Sequence, residues 1–67
     1  MTIVVNQQPQ QFNQALTLQT LLQQLDKAQQ LGIAVAVNNT VVSKSQWANH
    51  QLQDQDHVTI ITATQGG

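Results

Sequence analysis

Two glycines at the end of the sequence, Gly66 and Gly67, are the residues best suited to chemistry. They follow a run of strand-forming residues, have no side chains to pack, and lose backbone entropy when they are ordered. Because glycine has no side chain, these two residues could pass through a narrow channel into another protein's active site. The terminal carboxylate is ionised at neutral pH, so it can attack a nucleotide phosphate and become an activated acyl-adenylate. The alternative is an inert end, because a dipeptide is a weak motif.

Another group of residues has the composition of a metal site: Asp54, Asp56 and His57, with His50 nearby. Alternation along a strand would separate these side chains, so a turn that precedes a strand is the better interpretation. The sequence has no cysteine, tyrosine or arginine, and its serine, histidine and aspartate residues form no plausible triad. A self-contained enzyme and a bound metal are therefore not expected.

The chain is nearly uncharged, with 7% charged residues and a net charge of −1. Its two basic residues, Lys27 and Lys44, are scattered, so no nucleic-acid partner is predicted. The many glutamines alternate with strand and helix signals, which indicates a solvated neutral surface rather than a prion-like segment. No apolar run approaches the roughly 18 residues of a membrane span, and the N-terminal segment lacks the features of a signal peptide. A cytoplasmic protein without membrane contact is expected.

The elements that must position the two glycines follow from hydrophobic spacing. Strands are predicted at residues 3–5, 10–12, 33–37, 40–42 and 57–64, with turns at residues 6–9, 38–39 and 54–56. Residues 33–37 are apolar on both faces, as expected of a strand covered on both sides or close to a partner. A serine-capped helical turn over residues 43–48 carries Trp47, interpreted as a core residue packed towards the last strand rather than a partner hot spot.

The main helix is the clearest element. Its leucines are spaced at i, i+3, i+4 and i+7, and an alanine continues the stripe: Leu18, Leu21, Leu22, Leu25 and Ala28. Thr17 or Thr20 is the expected N-cap and Gly32 the expected C-terminal stop. One apolar stripe covers one face of one sheet. The prediction is a single α+β domain over residues 1–67, in which one main helix crosses a mixed sheet of four to five strands.

The open face of that sheet is a second candidate site. If Val58 and Ile60 point to the helix, then Thr59, Ile61 and Ala63 lie on the open face beside Val4. Val4 and Ile61 are then either part of a surface that binds a partner or two unrelated apolar residues on the surface.

Almost the whole chain resembles the thiamine-biosynthesis sulfur carrier family (ThiS), which has the ubiquitin-like β-grasp fold. Single residues and short segments carry the resemblance in a family-like order: Ile3 to Asn6, Leu18 to Asp26, Val35 to Asn38, Val41-Val42, Trp47, Leu52 to Asp54, Asp56 and Gly66-Gly67. The family usually has glycine where this chain has Gln55, which leaves the turn type open. It often has Val-Pro-Arg where this chain has Val42-Ser43-Lys44, so a basic partner contact would fall to Lys44.

The resemblance implies a protein carrier rather than an enzyme. Gly67 would be adenylated by a ThiF-like adenylyltransferase that uses ATP and Mg²⁺, and this chain would bind no cofactor itself. Sulfur from a donor such as a cysteine desulfurase would displace the nucleotide, and the thiocarboxylate would serve a ThiG-like thiazole synthase. Gly66 and Gln65 would form the tail in the partner's channel. Alternatives are the small subunit of molybdopterin synthase, a ubiquitin-like protein modifier and a plain interaction domain.

Overall fold

The computed structural model describes residues 1–27 and 32–62. It contains β1 (Thr2–Val5), β2 (Gln8–Gln11), α1 (Leu18–Gln24), β3 (Ile33–Val37), β4 (Thr40–Val42), a 3₁₀ helix (Lys44–Asn49) and β5 (His57–Thr62). The strands form one sheet in the order β2-β1-β5-β3-β4. Because β1 and β5 are parallel and the other pairs antiparallel, the sheet is mixed. The predicted α+β fold is confirmed; predicted positions Ala28, Ala63 and Thr64 lie outside the described residues.

The first hairpin turns earlier than predicted. Asn6 and Gln7 both have positive φ (48° and 71°) and alone form the turn, so β2 begins at Gln8 rather than Gln10. Pro9 lies inside β2 opposite Val4. A two-residue turn makes the flanking pair hydrogen-bonded and the next pair non-hydrogen-bonded. The missing N–H of Pro9 therefore faces outward at the sheet edge, where proline is tolerated.

Helix α1 begins as predicted but ends early. The hydroxyl of Thr17 accepts a hydrogen bond from the N–H of Thr20 at 3.2 Å, so Thr17 is the N-cap. The predicted stop at Gly32 was wrong, because Asp26 adopts a left-handed conformation with φ of 61°. The N–H of Lys27 bonds to the C=O of Leu22 at 2.7 Å, and that of Asp26 to Gln23 at 3.1 Å. These two bonds are a Schellman motif, which ends a helix.

One core lies between α1, the 3₁₀ helix and one face of the sheet. Its buried members are all apolar: Ile3, Val5, Leu16, Leu18, Leu21, Leu22, Val35, Val37, Val42, Trp47, Leu52 and Val58. In β3, Val35 and Val37 are buried, whereas Ala34 is exposed and Ala36 half-buried. We expected β3 either to be covered on both faces or to lie close to a partner. The described residues cover only one of its faces. Nor does any helix in residues 1–27 and 32–62 have the length and apolarity to cross a membrane.

The 3₁₀ helix is anchored by Trp47, as predicted, but to a different strand. The indole is 3% exposed, and its Nε1–H donates to the C=O of Val42 in β4 at 3.0 Å. It therefore holds the 3₁₀ helix to β4, whereas the last strand was expected. Ser43 occupies the N-cap position without a side-chain bond to the backbone. The predicted serine cap was wrong, because the hydroxyl lies 3.2 Å from that of Ser45 instead.

Candidate functional site

The sheet end from which residues 63–67 continue is the candidate site, and we call it the tail end. Gln65, Gly66 and Gly67, the predicted reactive tail, lie outside the described residues. The last described residue of β5, Thr62, pairs with Ile33 at the start of β3. Lys44 lies two residues after the end of β4, is exposed, and lines a depression of about 400 Å³ that also includes Ile33. The structure thus places Lys44 at the tail end, on the side of the sheet where β5 finishes.

The open face contains both predicted docking residues, but they are separated. Val4 pairs with His57 at the start of β5, and Ile61 lies four residues further along that strand. At about 3.3 Å per residue they are roughly 13 Å apart, so Val4 is not beside Ile61. Val4 is half-buried, whereas Ile61 is 59% exposed and opposes Ala34. Ile61 therefore belongs to the tail end and Val4 to the opposite end.

Sequence reasoning missed Val41, which at 74% exposure is the most exposed large apolar residue in the described part of the chain. Val41 in β4 opposes Ala36 in β3, and Ala36 in turn opposes Thr59 in β5. All three residues therefore lie on the open face. The predicted Asn38-Asn39 turn could have revealed this, because a two-residue hairpin fixes which residues pair.

Strand β5, which leads to the tail, is fixed by two asparagine side chains. Asn6 accepts from the N–H of Ile60 at 2.8 Å, so its side chain extends the ladder beyond the end of β1. Asn38 accepts from the N–H of His57 at 2.9 Å. Both residues were predicted only as turn formers, and no sequence pattern showed these long-range bonds. They hold β5 in position for the chain that follows it.

The aspartates near His57 form a turn, as predicted. Asp54 accepts from the N–H of Thr2 at 2.7 Å, while Asp56 accepts from the N–H of Gln53 at 2.8 Å and from the Asn38 side chain at 3.0 Å. Across residues 1–27 and 32–62, no three histidine, cysteine or acidic side chains come together as a potential metal site. The carboxylates are occupied in joining this turn to β1 and to the second hairpin.

Asp54 should make folding sensitive to acid. The hydrogen bond from the Thr2 N–H holds the pKa of its carboxyl below the ordinary value, with smaller contributions from Gln55 and the N-terminal ammonium. A lowered folded-state pKa gives stability that is present above the unfolded pKa and is lost as pH falls through the folded one. We expect the free energy of unfolding, measured with urea, to decrease as the pH is lowered below about 4. The Asp54→Asn variant should show a smaller decrease over the same pH range. Equal losses in both proteins would show that Asp54 is not responsible.

The resemblance left open the conformation of the turn at Gln55. This residue has a φ of 73°, so the turn holds it in the left-handed conformation that glycine adopts easily. A left-handed conformation costs a residue with a Cβ about 1–2 kcal/mol, while glycine makes the unfolded chain about 0.4–1 kcal/mol more favourable. Gln55→Gly should therefore stabilise the fold by about 0.5–1 kcal/mol, measured by urea unfolding. Gln53→Gly is the matched control and should destabilise, because Gln53 is absent from the positive-φ residues. A destabilising Gln55→Gly would contradict the argument.

A mixed five-stranded sheet with its last strand at the centre and one helix across a face defines a β-grasp domain. The sequence model of the ThiS family matches residues 2–67, and the chain belongs to this family. It is 39% identical to the sulfur carrier protein ThiS of Escherichia coli (strain K12), with both chains covered completely. The crystal structure of the thiamine biosynthesis protein ThiS from Geobacter metallireducens superposes with a TM-score of 0.85 at 26% identity, again over both whole chains. A solution NMR structure of a thiamine biosynthesis protein from the same organism gives 0.80 at 26% identity, covering this chain completely and 88% of the other.

These matches confirm the resemblance drawn from the residues. The protein is a sulfur carrier in thiamine biosynthesis, and it acts as a carrier rather than as a catalyst. The full-length relative from Escherichia coli is a ThiS sulfur carrier and the superposed crystal structure is a thiamine biosynthesis protein, which favours this role over the small subunit of molybdopterin synthase and over a protein modifier.

Proposed function

We propose that Gly67 carries the sulfur as a C-terminal thiocarboxylate, and that Gly66 and Gln65 form the segment that enters partner active sites. The observation that carries this proposal is the family match, which continues through the diglycine to residue 67. The sequence adds a second argument, because it contains no cysteine that could hold the sulfur as a persulfide. Glycine at both positions leaves the acyl carbon accessible from either side.

The proposed chemistry has two steps. A carboxylate oxygen of Gly67 attacks the α-phosphorus of ATP, the bond to the β-phosphate oxygen breaks, and pyrophosphate leaves. A hydrosulfide-equivalent nucleophile then attacks the acyl carbon, and AMP leaves with the electron pair of the broken acyl–oxygen bond. Activation is needed because the ionised carboxylate is a poor electrophile, whereas its adenylate has a good leaving group. The thiocarboxylate retains the sulfur until an acceptor enzyme uses it.

The proposed partners follow from these steps. A ThiF-like adenylyltransferase would bind ATP and Mg²⁺, since the three glycines of this chain (Gly32, Gly66 and Gly67) do not form a phosphate-binding loop. A cysteine desulfurase is the proposed sulfur source: its enzyme-bound persulfide is reduced by a thiol, which becomes a disulfide, and the sulfur is released at the hydrosulfide level. A ThiG-like thiazole synthase is the proposed acceptor. We place these reactions in the cytoplasm, where ATP is available.

A partner that holds the carboxylate must also contact the tail end. Gly67 is the fifth residue after Thr62, and a fully extended chain of five residues spans at most roughly 17 Å. Ile61 and Lys44 lie within this region and are both exposed, so we propose them as contacts for the partner's apolar and acidic groups. Val4 lies at the other end of β5 and would be reached only by a partner that covers the whole open face.

Mass spectrometry tests the function directly. The purified chain is incubated with the adenylyltransferase, ATP, Mg²⁺ and a sulfur source, and the intact mass is recorded with and without ATP. The proposal predicts an ATP-dependent gain equal to the difference between one sulfur and one oxygen atom, located in the C-terminal peptide. Conjugates to lysine would indicate a protein modifier instead, and an unchanged mass would indicate an inert tail. Sulfur transfer to thiazole synthase, but not to a molybdopterin synthase large subunit, would identify the pathway.

A further inference from the structure

The two edges of the sheet differ in their ability to accept another strand. On β2, the backbone of Pro9 faces outward, as its non-hydrogen-bonded pairing with Val4 requires. Proline has no N–H, so an added strand would find no donor at this position. Such an edge resists pairing with other chains.

Edge strand β4 has the opposite character. The turn at Asn38-Asn39 makes Val37–Thr40 a hydrogen-bonded pair, so Ala36–Val41 is non-hydrogen-bonded. The backbone groups of Ala36 then face β5, and those of Val41 face outward. With β4 at the edge of the sheet, the pairing leaves the N–H and C=O of Val41 without a backbone partner in residues 1–27 and 32–62. The exposed Val41 side chain lies on the open face above them.

The depression at the end of β4 adds a charge to this edge. Val41 and Ala34 line it from the open face, Trp47 lines it from the core side, and Lys44 is the one charged side chain among the lining residues that the structure describes. A strand laid along β4 would cover apolar surface and reach the exposed Lys44 side chain. These features match an extended segment that carries an apolar residue followed by a carboxylate.

We propose that β4 accepts an extended strand of the activating enzyme, with its backbone bonded to Val41, an apolar side chain over Val41 and a carboxylate at Lys44. This inference rests on the proposed function, which requires such an enzyme. A second copy of the chain is a poorer occupant, because three-residue strands pair too briefly to bury the roughly 1,000 Å² expected of a stable interface. Strand addition next to the tail end would also orient the tail towards the active site.

Hydrogen exchange of single amides, followed by NMR, tests the inference on the unmodified chain. The probe is the purified ThiF-like adenylyltransferase of the same organism. In the free chain the Val41 amide should exchange fast, and in the complex at least about ten-fold more slowly because it becomes hydrogen-bonded. The Gln11 amide, which faces outward on β2, is the internal control and should stay fast.

Calorimetric titration of two variants provides a second readout. Val41→Pro removes the outward N–H without breaking a bond inside the sheet, and should raise Kd at least about ten-fold, as expected for a lost interfacial hydrogen bond. Val41→Thr keeps the N–H and the branched shape, and should change Kd by less than about three-fold.

If the chain binds the enzyme while the Val41 amide remains fast, the strand addition is wrong and the proposed function stands. If the unmodified chain does not bind at all, both are wrong, and protection that appears in the chain alone would instead show self-association.

Discussion

Deleting Gly67 is expected to abolish thiocarboxylate formation while leaving the folded domain unchanged. The deletion moves the terminal carboxylate back by one residue, or about 3.5 Å. A displacement of about 1 Å in a reacting group can cost about 10²-fold in rate, so we expect a loss of at least that size. The measurement is the initial rate of ATP-dependent adenylate and thiocarboxylate formation by mass spectrometry, with saturating adenylyltransferase.

Two controls separate this loss from a loss of structure or binding. Within residues 1–27 and 32–62, every buried core residue lies between Ile3 and Val58, so the thermal unfolding midpoint of the deletion variant should equal that of the parent. A variant with one alanine added after Gly67 keeps both glycines yet displaces the carboxylate, and should be equally inactive. Sulfur loading of the deletion variant at the parental rate would show that Gly67 is not the carrier.

Local patterns predicted much of the fold. The leucine spacing defines α1 because burial of a helical stripe is visible in the sequence alone. The Asn38-Asn39 turn was equally clear, since both residues tolerate the positive φ values of 51° and 70° that the hairpin requires. Sheet class followed from the presence of one amphipathic helix and several strands.

Tertiary context decided the features that local patterns predicted wrongly or left open. Asp26 and Gln55 take left-handed conformations without being glycine, at positions where backbone hydrogen bonds close the helix end and the turn. Pro9 was placed in a turn because proline usually interrupts strands, yet an outward-facing position at an edge tolerates it. No local pattern reveals which strand will be an edge.

The candidate site divides in the same way. The diglycine is visible in the sequence, and family membership supports its proposed role. The positions of Lys44 and Val41 relative to β5 depend on strand order and register, which bring β4 next to β3 and β3 next to β5. Parity placed Val4 and Ile61 on one face correctly, but only the parallel register of β1 and β5 shows how far apart they lie.

Replacing Trp47 by alanine is expected to have the largest effect on stability. Truncating a buried tryptophan typically costs about 3–5 kcal/mol. At about 0.05–0.15 kcal/mol per residue, a chain of this length has only about 3–10 kcal/mol in total. The variant should therefore lose about a third or more of its free energy of unfolding, and all of it at the lower end of that range. Circular dichroism during urea unfolding measures this loss, because the tryptophan fluorescence reporter is absent from the variant.

Trp47→Phe decides between the core and hot-spot interpretations. Phenylalanine keeps an aromatic ring in the core but loses the bond from Nε1 to the C=O of Val42, so we expect a loss of about 1–3 kcal/mol. With the indole 3% exposed, a partner reaches little of it, and the folded fraction of the Phe variant should bind the adenylyltransferase with unchanged Kd. Full stability combined with a large rise in Kd would reverse this assignment and place Trp47 in the interface. In the core interpretation, the bond from Trp47 that ties the 3₁₀ helix to β4 belongs to the core, and its loss lowers stability rather than affinity.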